Sequence, residues 1–136
     1  MPEINLIIPG EPVGKARARV TKWGSYTPEK TVNYETQIKE RFATEYPDHV
    51  PWDCPVEIRI NAYFSIPAST SNKKKQLMLS NAMRPAKKPD IDNVLKIVSD
   101  ALNNLAYKDD KQIVRCELSK FYSDQPKAQI FIKECV

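Results

Sequence analysis

From residue 91 onward, Ile91, Val94, Leu95, Val98, Ala101, Leu102 and Leu105 recur at three- and four-residue steps. That spacing is one apolar face of an amphipathic helix, and such a face must be buried against the rest of the chain. The start of the helix is equally well defined. Pro89 disfavours the α conformation at Lys88, and Asp90 is a favoured N-cap residue. Asp92, Lys96, Asp100 and Asn103 fall together on the opposite, polar face. Lys96 stands four residues from Asp92 and four from Asp100, so the spacing predicts a lysine between two acids.

Aspartate at a helix start has an ordinary explanation, since it caps the first turn and complements the positive end of the dipole. On its own, Asp-x-Asp before a helix is more often a cap than a metal site. A second acidic pair changes the balance. Asp109 and Asp110 lie between the end of this helix and a strand-like run from Gln112 to Tyr122. A short helix-to-strand loop would leave that pair at the mouth of the strand. Two acidic pairs brought together repel unless a cation lies between them, and a few hard oxygen ligands suit Mg²⁺, with Mn²⁺ as the alternative.

At these residues the chain resembles the RusA-type Holliday junction resolvases (crossover junction endodeoxyribonucleases). The resemblance rests on Asp90-Ile91-Asp92-Asn93, Lys96, Asp100-Ala101-Leu102 and Asp109-Asp110-Lys111-Gln112. It extends to the segment from Ile8 to Arg19 and to Tyr26-Thr27-Pro28-Glu29-Lys30, which are similar to the phage and Gram-positive branch of the family. Ala18 is a departure, where many relatives have a proline between two arginines. The resemblance implies an α+β single domain over residues 1–136, with a mixed β-sheet and helices packed on one face. It implies a catalytic set of Asp90, Asp92, Lys96 and Asp110. The three carboxylates would be associated with Mg²⁺, and Lys96 would be the cation at the scissile phosphate. Asp109 is the weaker member of its pair, and Asp100 is either a site residue or a structural partner of Lys96. The implied activity is resolution of branched DNA by paired symmetric nicks leaving 5′-phosphate and 3′-hydroxyl ends, in recombination and repair, by a homodimer.

Composition agrees with a nucleic-acid enzyme without requiring one. The chain has 136 residues, enough for one sizeable core. With 21 basic and 17 acidic residues its net charge is only +4, which permits a DNA partner and does not demand it. No secretory signal or transmembrane run is expected, so the default location is cytoplasmic. Cys54, Cys116 and Cys135 lack zinc spacing, and Cys116 and Cys135 read as buried thiols. His49 has no nucleophile to serve, which leaves Ser/His/Asp and Cys/His hydrolysis without a basis.

The remaining pattern predicts strands at 4–8, 17–22, 56–64, 113–122 and 128–133. Helices are expected from Pro28, capped by Thr27, to about Pro47, and over residues 71–83. Tyr34, Ile38, Phe42 and Tyr46 form the apolar face of the first helix. Three basic patches are candidates for phosphate contacts. The first is Lys15, Arg17 and Arg19. The second is Lys73, Lys74 and Lys75, continuing through Arg84 to Lys87 and Lys88. Lys30, Lys39 and Arg41 form a third, for which a plain solvated face is the simpler reading. Trp23 and Tyr26 sit in a turn where aromatics usually pack down, although they could stack on bases. The carboxy-terminal strand and the apolar face of the first helix are the sequence's candidates for a dimer interface. Flap or fork cleavage and a non-catalytic DNA-binding module remain the rival functions.

Overall fold

In the computed structural model the described residues are 2–16, 19–26 and 28–135, with Arg19 described in its backbone only. The chain runs β1 (Glu3–Pro9), β2 (Arg19–Thr21), β3 (Gly24–Tyr26), α1 (Glu29–Glu45), β4 (Val56–Ser65), α2 (Asn72–Leu79), α3 (Ile91–Ala101), β5 (Ile113–Ser123) and β6 (Lys127–Glu134). Four strands form a sheet in the order β1-β6-β4-β5. Only the β4–β5 pair is parallel, while β6 pairs antiparallel with both β1 and β4. Parallel neighbours need a long crossover, and here α2 and α3 supply it. The fold is therefore α+β with a mixed sheet, as the sequence implied.

Alternation decides which face of the sheet is covered. Ile4, Leu6 and Ile8 of β1, Val56, Ile58, Ile60, Ala62 and Phe64 of β4, and Ala128, Ile130 and Ile132 of β6 are all buried. They share one core with Tyr34, Ile38 and Phe42 of α1 and Val94, Ile97, Val98 and Ala101 of α3. The opposite face is polar and aromatic. There Lys133 pairs with Glu57 at 3.5 Å, Arg59 lies over the Phe131 ring, and Tyr63 stacks on Phe121. Helices α1 and α3 thus cover the first face.

Several expectations shift. Pro28, in extended backbone, takes the N-cap position of α1 rather than its first turn, and Thr27 lies outside the described residues. Among the described residues the second strand is Arg19–Thr21, with its turn at Lys22 and Trp23; Arg17 and Ala18 lie outside the described residues. Trp23 does not pack down, being 87% exposed. Helix α2 stops at Leu79, because Asn81 adopts φ 67° and ends the run before Met83. Cys116 is exposed rather than buried, since it sits on the edge strand β5. β6 is an interior strand with both edges paired, and Tyr34, Ile38 and Phe42 of α1 belong to the core.

Candidate active site

Helix α3 begins where the motif placed it. Asp90 takes the N-cap position with extended backbone (φ −67°, ψ 151°), yet its side chain makes no capping hydrogen bond. Asp92 follows in the exposed first turn. Neither carboxylate has an ion pair or a side-chain hydrogen bond among the described residues. The helix-capping explanation for these two acids therefore does not use their oxygens.

Lys96, one turn further on, pairs with Asp100 at 3.1 Å and approaches Asp110 at 3.9 Å. Lys96 does not pair with the expected Asp92, and Asp110 arrives from outside the helix instead. Asp100 is thereby a partner of Lys96. The turn carrying Asp110 is built by its neighbours. Asp109 accepts from the Lys111 backbone N–H at 3.0 Å, and its own N–H donates to Gln112 Oε1 at 2.8 Å. Gln112 Nε2 donates to the Trp52 and Cys54 carbonyls at 2.7 and 3.0 Å, tying the turn to the segment before β4. Below it, Tyr107 is fully buried and its hydroxyl donates to the Ser99 carbonyl at 2.7 Å. Burial, reinforced by the charges of Asp110, Asp100 and Asp109, pushes the Tyr107 phenol far above its ordinary range.

Asp109 and Asp110 are distinguished by their surroundings. The Lys111 N–H draws Asp109 below the usual carboxylate range. Burial, and then the hydrogen bond shared with Asp109, raises Asp110, against the pull of Lys96. Two carboxyl groups so placed influence each other's titration.

Among the described residues, no three His, Cys, Asp or Glu side chains converge closely enough to hold a metal ion. Asp110 is turned toward Lys96 and Asp109, while Asp90 and Asp92 face solvent. The donor chemistry nevertheless fits a hard cation: every group is a carboxylate, two are uncommitted, and the third lies in a cluster with excess negative charge.

The basic residues divide. Lys73, Lys74 and Lys75 are exposed on α2, behind an N-cap in which Ser71 accepts from the Lys74 N–H. Lys88 is also exposed, immediately before Pro89 and Asp90. Lys87 lies over the Tyr122 ring at 5.8 Å. Arg84 is engaged with the Lys120 carbonyl and the Phe121 ring. Lys15, another expected phosphate contact, has its ammonium bracketed by Glu35 and Asp100. Burial lowers the Lys15 pKa, but the two carboxylates outweigh it and leave the group above its ordinary value.

Glu35, Gln112 and Lys120 belong to the neighbourhood of the site, and the sequence reading assigned none of them a role there. The Lys120 ammonium donates to the Lys87 and Pro89 carbonyls at 2.5 and 2.9 Å, pinning the segment that leads into Asp90. Gln112 alone carried a signal, as the last residue of Asp-Asp-x-Gln. Glu35 and Lys120 reach the site through tertiary packing, which no local spacing records.

Residues 9–133 match the family model described as endodeoxyribonuclease RusA. The chain is also 37% identical to the uncharacterized protein YqaN of Bacillus subtilis (strain 168), over 96% of each chain.

Proposed function

Because this chain belongs to the RusA endodeoxyribonuclease family, we propose that it is a Mg²⁺-dependent nuclease. Its substrate would be four-way DNA junctions, resolved by paired symmetric nicks that leave 5′-phosphate and 3′-hydroxyl ends. The observation that carries this reading is the state of the acids at the start of α3. Asp90 occupies a cap position without capping, and Asp92 sits four residues from a lysine that pairs elsewhere. A purely structural role would use those oxygens.

Asp90, Asp92 and Asp110 are the residues that would hold Mg²⁺, or Mn²⁺ in its place. When bound, the ion lowers the pKa of a water and neutralises charge on the attacking and leaving oxygens. The chain's own contribution is positional and electrostatic. Lys96 lies beside the acids and stabilises the negative charge that builds on the phosphate as it becomes five-coordinate. Lys73, Lys74, Lys75, Lys87 and Lys88 precede Asp90 and would guide the sugar-phosphate backbone toward it, with Arg17 and Arg19 as further candidates. A junction has two strands to be cut with two-fold symmetry, and one acidic cluster serves one strand. A homodimer with C₂ symmetry supplies the second. Recombination or repair is the setting in which such junctions arise.

The reading is tested with a synthetic four-way junction and a linear duplex of the same sequence, each with Mg²⁺. Selective nicking of the junction supports it. Equal cleavage of the duplex would remove the junction preference, and binding without cleavage in either Mg²⁺ or Mn²⁺ would leave a binding module.

A further inference from the structure

The geometry points to Glu35 and Lys15 as an arm that positions Lys96, an inference that rests on the proposed nuclease reading for its functional consequence. The arm begins with a loop that is locked in place. The Lys15 N–H donates to the Asn93 carbonyl of α3 at 2.8 Å, and the Ala16 N–H donates to Thr31 Oγ1 of α1 at 3.2 Å. Thr31 is itself buried. Between them and the strand, Gly14 passes so close to α3 that an added Cβ would meet Pro89 Cβ at 2.6 Å and Asn93 Cβ at 3.1 Å. Only glycine allows that approach, and it fixes where the Lys15 side chain starts.

From there the charges alternate. The Lys15 ammonium is held by Glu35 Oε1 and reaches Asp100 Oδ2 at 3.4 Å. The other oxygen of Asp100, Oδ1, takes Lys96 at 3.1 Å. Lys96 in turn stands 3.9 Å from Asp110. The anchored end is sheltered: Glu35, Asp100 and Lys15 side chains are 15%, 20% and 26% exposed, against 57% for Lys96. Lys96 has an acid four residues away in each direction, so helix geometry alone offers it two partners. Fixing Asp100 by Lys15 and Glu35 selects the later one. Lys96 is thereby kept beside Asp110, and Asp92 has no ion-pair partner among the described residues. Glu35 and Lys15 are positioning residues that act through Asp100, and neither has to touch the phosphate.

The test is the Glu35→Gln variant, which keeps shape and removes charge, with Lys15→Met and Lys15→Arg beside it. In the DNA-free, metal-free protein, the side-chain carbon and nitrogen resonances of Lys96 should move toward those of a solvated lysine in Glu35→Gln and Lys15→Met. They should hold in Lys15→Arg. Single-turnover junction cleavage should fall about tenfold in the first two, short of the ~10²-fold expected from a misplacement of about 1 Å, while junction affinity changes less than about twofold. Lys15→Arg should retain cleavage. The Lys15→Met, Glu35→Gln double variant should be no slower than the worse single, as for two parts of one device. A folded Glu35→Gln protein with unmoved Lys96 resonances would overturn the inference. So would unchanged cleavage alongside an active wild type. If the wild type does not cleave, the nuclease reading fails and the Lys96 resonances still decide whether the arm exists.

Discussion

Lys96 Nζ stands 3.9 Å from Asp110 Oδ2, across the gap between α3 and the turn that leads into β5. Together with the 3.1 Å pair to Asp100, this places one exposed cation between an acid of its own helix and an acid from a separate element. The relationship makes Lys96 sensitive to both. Lys96→Met should lower single-turnover junction cleavage by about 10²–10³-fold, the usual effect of removing one preorganised charge stabiliser. Junction affinity should change little. Quench-flow cleavage beside equilibrium binding checks this, and a rate loss explained wholly by weaker binding would contradict it.

Gln112 is the hinge on which Asp110 hangs. Its amide accepts from Asp109 N–H and donates to two carbonyls before β4. Gln112→Ala removes those bonds and should cost about 1–3 kcal/mol by urea unfolding. Cleavage should fall further than that loss of folded protein explains, since the Asp109-Asp110 turn loses its anchor. A variant as stable as wild type would show that the turn holds itself.

The pH behaviour of the acidic pair has a definite sign. Burial and the Asp109 hydrogen bond raise Asp110 above the ordinary carboxylate range, while the Lys111 N–H lowers Asp109. On acidification Asp110 therefore takes its proton first. An acid raised in the folded state binds its proton more tightly folded than unfolded. Its linkage contribution favours folding below the folded pKa and fades as pH rises through it. Asp109 contributes in the opposite sense, present above its unfolded pKa and lost as pH falls through the lowered one. Carboxyl carbon titration of the metal-free protein should show Asp110 titrating above Asp109, and Asp109→Asn should bring Asp110 down. Cleavage should decline as pH falls toward the Asp110 midpoint. The reverse order of titration would contradict the arrangement.

Salt dependence separates the basic residues. Lys73, Lys74 and Lys75 are exposed on α2, so each one that contacts a phosphate should take about 0.9 from the slope of log affinity against log salt when changed to alanine. Lys15 is bracketed by two carboxylates, and Lys15→Met should leave that slope unchanged. Fluorescence anisotropy with a labelled junction across a salt series reads both.

Much of this molecule was legible where a local pattern also decides packing. Val94, Val98 and Ala101 are buried as their spacing required, and β4 runs Val56–Ser65 with its alternate residues inside. Ile97, outside that three- and four-residue stripe, is completely buried as well, because the core wraps further round α3 than a narrow stripe suggests. Cys116 misled for a related reason: strand-like sequence does not say whether a strand lies at the edge. In the site, the acids and Lys96 were visible as a motif, but the partner Lys96 keeps was not. Helix spacing gave Asp92 and Asp100 equal standing, and contacts from α1 and the loop before β2 broke the tie. Those contacts join Lys15 to Glu35 and Asp100, far apart in sequence, and no periodicity encodes them.

The most direct measurement compares wild type with Asp92→Asn on a synthetic four-way junction in Mg²⁺, reading binding and cleavage on the same samples. The substitution keeps size while removing a carboxylate that has no partner among the described residues, so stability should be unchanged. Wild type should produce symmetric paired nicks, and Asp92→Asn should bind the junction within about twofold while cleaving at least about 10²-fold more slowly. Cleavage by Asp92→Asn at the wild-type rate would contradict the assignment of these acids as the catalytic centre.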